Sequence, residues 1–161
     1  MPAQPFHKAI ETPAVPQSWI GFNYAKGCKN PADTGLHFFV DDYQFTRLWT
    51  NPDAYLDLLR RFKAVCTPDF STYTDFPAAV QILGMPASFK TPKIWAHYRK
   101  HWLGAYWQMH GIPVIPTISW SDERSFEWCF DGEPVGGAVA VSSVGTQNSE
   151  RAAALFRLAI L

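Results

Sequence analysis

Short apolar runs bounded by polar or turn residues recur along this chain. Such runs are typical of buried strands, since strands of a parallel sheet are covered on both faces. The two clearest are Leu36-His37-Phe38-Phe39-Val40, which ends at Asp41, and Ala64-Val65-Cys66, which ends at Thr67-Pro68-Asp69. The sequence predicts four strands in all, at 36–40, 64–66, 114–120 and 137–143.

Helical stripes separate these runs. Asn51 is a candidate N-cap with Pro52 at the first helical position, and apolar residues follow at positions 55, 58, 59 and 62. A short helix is predicted to begin near Asp75, a longer one over 93–110 with Gly111 as its stop, and a last one after Asn148 or Ser149. Strand and helix therefore alternate about four times.

This order favours an α/β fold with a mainly parallel sheet of about four strands and alternating helices, either half-barrel-like or an open three-layer arrangement. Residues 1–34 are rich in Pro, Gly, Asn and Lys, which predicts an irregular N-terminal arm before a single α/β domain at 35–161. In such folds the ligand binds at the loops that leave the carboxyl ends of the strands. The polar residues expected there are Asp41, Asp42, Asp69, Ser71, Tyr73, Ser119 to Asp122, Ser142 and Thr146.

Three carboxylates at or near these strand ends carry the catalytic hypothesis. Asp41 and Asp69 each follow a predicted strand, and Asp75 comes a turn later. Converging carboxylates would suit Mg²⁺ or paired acid–base chemistry. The alternative is structural, because aspartates at these positions also cap turns and fix bends.

Composition changes the picture through its aromatic content and its charge. The 161 residues are 47% hydrophobic and 16% aromatic, and their formal net charge is zero, which argues against a protein that holds nucleic acid over its whole surface. The zero net charge hides two regions of opposite charge. The segment between Asp75 and Asp122 has no acidic residue and is basic, whereas acidic residues dominate from Asp122 to Glu133. This acidic stretch is a candidate partner for the basic segment within the fold.

The basic segment interleaves cations with aromatic rings, a pattern that suits stacking on bases or binding to an acidic protein surface. The predicted binding residues are Tyr73, Lys93, Trp95, Arg99, Lys100, Trp107 and Trp120. The alternative is that Ile94, Tyr98 and Trp102 form an inward stripe and the cations line the solvent side of the helix. Trp120 either floors a small-molecule pocket or closes the end of the sheet.

Metal and cofactor signals are weak in this sequence. His97 and His101 have the i, i+4 spacing of a metal pair but no HExxH motif, so a solvated helix face is the simpler interpretation. Because P-loop, GxGxxG and GxSxG motifs are also missing, no metal or cofactor is predicted. Three widely spaced cysteines fit a reducing compartment. With neither a signal peptide nor a membrane-spanning run, the expected location is the bacterial cytoplasm.

Four motifs carry a resemblance to a known family: TPDFSTYTDFP, YRKHWLGAYWQ, GIPVIPTISW and SFEWCFDGEPV. From Trp19 to its end the chain resembles a bacterial and phage family known only as a domain of unknown function, frequent on prophages and plasmids. The match is poor from Leu83 to Pro92. The resemblance implies a further strand after the last helix, so a shortened copy or self-association as a homodimer is expected.

Two functions of different class follow. The favoured one is a non-enzymatic phage or mobile-element accessory protein that binds a host protein or nucleoprotein complex and inhibits a defence or replication system. The alternative is a Mg²⁺-dependent hydrolase or nuclease that uses Asp41, Asp69 and Asp75. Direct nucleic-acid binding is a third, weaker reading because of the neutral charge.

Overall fold

The structure, a computed structural model, describes residues 15–71, 95–120, 123–127, 129–144 and 149–159. Four strands form one sheet: β1 (Ser18–Gly21), β2 (Thr34–His37), β3 (Ala64–Cys66) and β4 (Val114–Ile115). All three pairings are parallel, and the strand order in the sheet is the order in the chain. The predicted α/β class with a mainly parallel sheet is confirmed.

Helices and 3₁₀ turns connect the strands. The α-helices are α1 (Arg47–Thr50), α2 (Leu56–Leu59), α3 (Trp95–Met109) and α4 (Glu150–Ala159). Short 3₁₀ helices lie at Phe22–Gly27, Pro31–Asp33, Asp42–Gln44, Asp53–Tyr55 and Glu123–Glu127. A parallel sheet whose strand order follows the chain order matches the strand order of a barrel segment, whereas a doubly wound sheet reverses its order at a switch point.

Aromatic rings fill the space between the sheet and α3. Phe38 stacks on Trp107 with ring centroids 5.8 Å apart, and Phe45 meets the edge of Phe38 at 5.6 Å. Phe70 continues the series at 5.2 Å from Phe45. Leu36 and these four aromatic side chains are essentially inaccessible to solvent. Burial of an aromatic side chain removes a large apolar area from water, so this cluster dominates the core.

Two of the predicted helix ends, at Gly111 and Ser149, are observed, and the one at Asn51 is not. Gly111 follows α3 with φ of 76°, so a glycine supplies the left-handed residue at the stop, and Ser149 Oγ accepts a hydrogen bond from Ala152 N at the start of α4. Asn51 is not an N-cap, because it ends α1 instead. The helix predicted after it consists of the 3₁₀ turn at Asp53–Tyr55 and the single turn of α2.

The sheet differs from the prediction at both edges. Strand β1 lies inside the segment that the sequence predicts to be irregular. The prediction fails there because β1 is a four-residue edge strand, and so short and exposed a strand has little hydrophobic pattern. The strand predicted at 137–143 is reduced to one parallel bridge between Thr117 and Ala140. Pro116 explains the interruption of β4, because it has no N–H to donate, although its carbonyl accepts from Ala140 N at 2.8 Å.

Candidate functional site

A cavity of about 480 Å³ opens at the carboxyl edge of the sheet. Residues that follow β2, β3, β4 and the bridge at Ala140 line it together: Phe39, Val40, Asp41, Gln44, Asp69, Phe70, Ser71, Ile118, Ser119, Trp120, Ser142 and Val144. Its size is within the range of small-ligand pockets, and its place is where α/β folds bind ligands. We call it the carboxyl-edge cavity.

Two linked threonines align the strand ends beneath this cavity. Thr117 N donates to Thr67 Oγ1 at 2.8 Å, and Thr117 Oγ1 donates to Thr67 O at 2.7 Å. Both threonines are buried. Two residues further along each segment, Asp69 accepts a side-chain hydrogen bond from Ser119, which makes the next rung of the same pairing. The backbone register therefore delivers Asp69 and Ser119 to the cavity as a pair.

Asp69 is the titratable group of the cavity with the most perturbed chemistry. Its pKa is raised from 3.8 to about 6, mainly by burial and to a smaller extent by the negative charge of Asp42, against the opposing effects of the Ser119 hydrogen bond and the positive charge of Lys100. A carboxyl group with such a pKa exchanges its proton near neutral pH. Perturbed groups in clefts are typical of functional sites.

Asp42 fixes the loop that follows β3. Its Oδ1 accepts hydrogen bonds from Ser71 Oγ at 2.8 Å and Ser71 N at 3.1 Å, and its Oδ2 lies 3.2 Å from the same nitrogen. Asp42 therefore has the structural role that the sequence analysis gives as the alternative for the aspartates, because it holds a loop in place. Beside it, the Arg99 guanidinium lies 3.9 Å from the centroid of the Phe70 ring. Burial lowers the pKa of Arg99, and the charge of Asp42 opposes that shift.

The cysteine behind this edge is chemically quiet. Burial raises the pKa of the Cys66 thiol to about 12, with a contribution from the negative charge of Asp69. A thiol with this pKa stays protonated, and the protonated form is a poor nucleophile. Cys66 is therefore a core residue.

The structure brings together part of the set predicted from the sequence. Asp41, Asp69 and Trp120 line one cavity. Trp120 also packs against Phe126 at 6.2 Å and Phe156 of α4 at 6.0 Å, so it both lines the pocket and closes the end of the sheet. The predicted residues Tyr73, Asp75 and Lys93 lie outside the described residues. Trp95 is the first residue of α3.

Two other predicted binding residues of α3, Lys100 and Trp107, lie away from the solvent. Trp107 is fully buried in the aromatic core, and Lys100 is only 3% exposed. Lys100 Nζ donates to Thr117 O at 2.6 Å and to Glu133 Oε1 at 2.7 Å. Glu133 belongs to the acidic stretch, so part of that stretch does pair with the basic helix inside the fold. Neither Lys100 nor Trp107 presents an exposed side chain to a partner.

The two histidines of α3 are buried as well, which makes the solvated-face interpretation wrong. His101 Nε2 lies 3.1 Å from Glu133 Oε1, and His97 Nε2 lies 3.0 Å from the Asp131 carbonyl oxygen. Burial lowers the pKa of His97 to about 3, and the positive charge of Lys100 adds to the effect. We call Lys100, Glu133, His97 and His101 the buried polar cluster.

The inward stripe predicted at Ile94, Tyr98 and Trp102 is also wrong where it can be checked. Trp102 is 36% exposed and Tyr98 is half-buried, whereas Lys100, Leu103 and Trp107 point into the protein. Ile94 is outside the described residues. The hydrophobic pattern misassigned the helix face because buried cations with partners were not expected.

Several functional positions gave little signal in the sequence. The sequence pattern assigns Phe39 and Val40 to the interior of a strand and gives no signal for Gln44 or Val144, yet all four line the cavity. It marks Glu133 only as one member of an acidic stretch. Its role depends on a pairing across 33 positions, which no local pattern reveals.

The described part of the chain carries neither a cluster of metal-ligating side chains nor a membrane-spanning helix. No group of three or more His, Cys, Asp or Glu side chains there is arranged to hold a metal ion. No helix among the same residues has the length and apolar character needed to cross a membrane.

Comparison with known proteins places these features in a family. A family model described as a domain of unknown function (DUF4417) matches residues 6–160. The Gene 1 protein of Mycobacterium phage L5 is 40% identical over 148 residues, and the Gene 1 protein of Mycobacterium phage D29 is 39% identical over 148 residues. Each alignment covers 91% of this chain but only 59% and 50% of the two relatives. No solved structure matches the chain.

Proposed function

Because the chain belongs to the domain-of-unknown-function family DUF4417, whose description assigns no reaction, we propose a function from the carboxyl-edge cavity itself. The domain binds a small polar ligand there and acts on it by general acid–base chemistry, with Asp69 as the group that transfers the proton. The observation that carries this proposal is a carboxyl group with a pKa of about 6, hydrogen-bonded to Ser119, in a cavity at the strand ends.

The side chains around the cavity narrow the ligand class. Asp41 and Asp69 supply carboxylates, Gln44 and three serines supply neutral hydrogen-bonding groups, and Trp120 supplies an aromatic wall. The described lining residues include no Lys, Arg or His. Carboxylates without a compensating cation repel phosphate and carboxylate groups. The ligand is therefore uncharged or cationic, and a phosphodiester fits this cavity less well.

The reaction class that these groups support is hydrolysis. The ionised Asp69 carboxylate takes a proton from a water molecule, and the protonated form returns a proton to the leaving group. The Ser119 hydroxyl fixes the orientation of the Asp69 carboxyl, and Asp41 faces the same space as a second carboxylate. In the Mg²⁺-dependent form of this hypothesis Asp41 and Asp69 would be ligands.

The test compares Asp69→Asn with the wild-type protein in a screen of chromogenic esters and glycosides, with Mg²⁺ and with EDTA. Hydrolysis that the substitution reduces at least about 100-fold supports the proposal. Ser142→Ala is the matched control in the same cavity and should change the rate far less. Activity that survives Asp69→Asn would contradict the role of Asp69, and activity lost in EDTA would favour the metal-dependent form.

Stability separates a lost function from a lost fold in this experiment. The folded-state pKa of Asp69 lies above its ordinary value of 3.8, so ionisation disfavours the folded state increasingly as the pH rises from about 4 to about 6. Asp69→Asn should therefore raise the free energy of unfolding at pH 7 by roughly 3 kcal/mol. The gain should vanish below pH 4, as urea titrations at both pH values would measure.

A second candidate function is binding to a host protein or nucleoprotein complex in the bacterial cytoplasm, as an accessory protein that inhibits it. The exposed aromatic side chains on the outer side of α3 support this candidate, because aromatic residues are enriched in protein interfaces. Trp102→Ala with Tyr106→Ala should abolish capture of a specific host protein by the purified domain. Equal capture by the wild-type and variant proteins would count against it.

A further inference from the structure

We propose that the ligand of the carboxyl-edge cavity is a neutral saccharide, with Trp120 as the surface on which a sugar ring stacks and with Asp41 and Asp69 as acceptors for its hydroxyl groups. Because it names the substrate class of the same site, this assignment rests on the proposed function. A sugar ring carries hydroxyl groups around its rim and C–H groups across its faces. The lining of the cavity has a matching division between polar and apolar side chains.

The polar part of the lining suits a ligand with many hydroxyl groups. Six polar side chains of the described residues line the cavity: Asp41, Gln44, Asp69, Ser71, Ser119 and Ser142. The ionised carboxylates only accept hydrogen bonds, whereas the amide and the serine hydroxyls both donate and accept. Each sugar hydroxyl also donates and accepts, so a polyol can pair with all of these groups. A ligand that leaves some of them unpaired loses affinity, because an unpaired buried polar group costs free energy.

The aromatic walls of the cavity are fixed from behind. The half-buried Trp120 ring packs against Phe126 at 6.2 Å and Phe156 at 6.0 Å between centroids. Phe39, also half-buried, stacks on His37 at 5.4 Å. None of these three neighbours lines the cavity, so the contacts that fix both rings lie outside it. The negative face of a preformed aromatic ring attracts the weakly positive C–H face of a sugar, and a fixed ring loses little entropy on binding.

An organic cation is the alternative that the two carboxylates alone would favour. An ammonium or guanidinium group binds carboxylates and aromatic faces. It carries donors and no acceptor, so it cannot pair with the N–H and O–H donors of Gln44 and the serines. In a cavity of about 480 Å³ those donors would still need water as a partner. The mixed lining therefore favours a neutral polyol over a cation.

With a saccharide in the cavity, the proposed reaction cleaves a glycosidic C–O bond. The water oxygen bonds to the anomeric carbon while the bond from that carbon to the leaving oxygen breaks. Asp69 takes one proton from the water and returns one to the leaving oxygen, so both products are neutral sugars. Two carboxylates in one cavity, here Asp41 and Asp69, are the pair that glycoside hydrolysis commonly uses.

The test measures binding to the purified whole chain by isothermal titration calorimetry. The probes are neutral oligosaccharides of glucose, galactose, mannose, xylose or N-acetylglucosamine, with choline and agmatine as organic cations and inorganic phosphate as an anion. At least one saccharide should bind, with the same affinity at about 0.05 M and about 0.5 M NaCl, because salt screens only interactions between charges. The absence of saccharide binding would overturn the inference, and cation binding that weakens with salt would then identify the ligand as cationic.

Substitutions of two tryptophans locate the binding. Trp120→Ala removes the aromatic wall and should weaken saccharide binding at least about 10-fold. Trp120→Phe keeps a ring beside Phe126 and Phe156 and should retain most of the affinity, which separates a lost contact from a lost fold. Trp19→Ala is the matched control and should leave the affinity unchanged, because Trp19 on β1 is 39% exposed and is not a lining residue. Equal affinities of Trp120→Ala and the wild type would contradict the assignment.

The outcome is separate from that of the proposed function. If a saccharide binds with the expected variant effects but is not hydrolysed, the ligand class is right and the proposed reaction is wrong. If Asp69-dependent hydrolysis is found with chromogenic esters and no saccharide binds, the reaction is right and the ligand class is wrong. If Asp69→Asn keeps saccharide binding and loses its hydrolysis, both are right.

Discussion

The two sides of α3 differ in a way that departs from the usual arrangement of a surface helix. The inner side carries His97, Lys100 and His101, all less than about 6% exposed. The outer side carries Tyr98, Trp102 and Tyr106, which are half-buried or exposed. A helix that packs on a sheet commonly turns its aromatic residues inward and its cations outward. Here the inner side also holds Leu103 and Trp107, and the three polar residues are buried beside them because they have partners there.

Partners on each side account for the difference. On the inner side the Glu133 carboxylate and the Thr117 carbonyl receive hydrogen bonds from Lys100, which offsets much of the cost of removing the charge from water. On the outer side the rings cover one another. Trp102 stacks on Tyr106 with centroids 5.0 Å apart, and Trp49 of α1 meets its edge at 5.3 Å. Tyr106 also donates its hydroxyl hydrogen to Asp53.

The largest change in stability is expected when the ion pair between Lys100 and Glu133, on the inner side of α3, loses one of its charges. Lys100→Met leaves the Glu133 carboxylate buried without its cation, which should lower the free energy of unfolding by about 3–5 kcal/mol. Urea denaturation followed by circular dichroism at pH 7 measures this. The Lys100→Met/Glu133→Gln variant is the control and should be within about 1–2 kcal/mol of the wild type. Equal destabilisation of the single and double variants would mean that the ion pair does not determine the single-variant cost.

A smaller, pH-dependent effect is expected at His97. Its folded-state pKa of about 3 lies below the ordinary value of 6.5, so the unfolded chain binds the proton first as the pH falls. Stability is therefore fully present above pH 6.5 and is lost progressively toward pH 3. His97→Gln, whose amide can still donate to the Asp131 carbonyl, should reduce the slope of unfolding free energy against pH by about 1.4 kcal/mol per unit between pH 4 and 6.

The matched control for His97 is His110, which lies at the end of α3 and is half-buried. Its ring lies tilted against Tyr106, with centroids 4.6 Å apart, and outside the buried polar cluster. His110→Gln should leave the slope between pH 4 and 6 closer to that of the wild type. A slope that His97→Gln does not alter would show that His97 is not the neutral buried group described here.

The sequence predicted the sheet and the place of the site because both depend on local signals. Short apolar runs mark β2 and β3, and polar residues directly after them mark the cavity edge that holds Asp41 and Asp69. Parallel pairing then brings these ends together without further information. Strand β1 was missed because an exposed edge strand of four residues has too little hydrophobic contrast.

The inner side of α3 was beyond sequence reasoning for a different reason. Lys100 and Glu133 stabilise each other only once the loop after the 3₁₀ helix Glu123–Glu127 has folded back on α3. Hydrophobic periodicity assigns both residues to the surface, since it scores each side chain without its partner. Long-range compensation of buried charge is thus the information that the local pattern lacks.

The smallest effect is expected on the outer side of α3. Trp102→Ala removes the stack on Tyr106 and the edge contact with Trp49, and such aromatic pairs contribute about 0.5–1.5 kcal/mol each beyond area burial. Because Trp102 is already 36% exposed, the total loss should be about 1–2 kcal/mol.

Leu103, the next residue on α3, is fully buried and supplies the matched comparison. Leu103→Ala should cost about 2–5 kcal/mol because it leaves a cavity in the core. If both substitutions cost the same in urea denaturation, the outer rings pack as core residues and the two sides of α3 do not differ as described. If Trp102→Ala is the milder of the two, the outer rings tolerate change that the core does not. They are then available for contacts beyond the fold, because their removal leaves a folded domain in which binding can be measured.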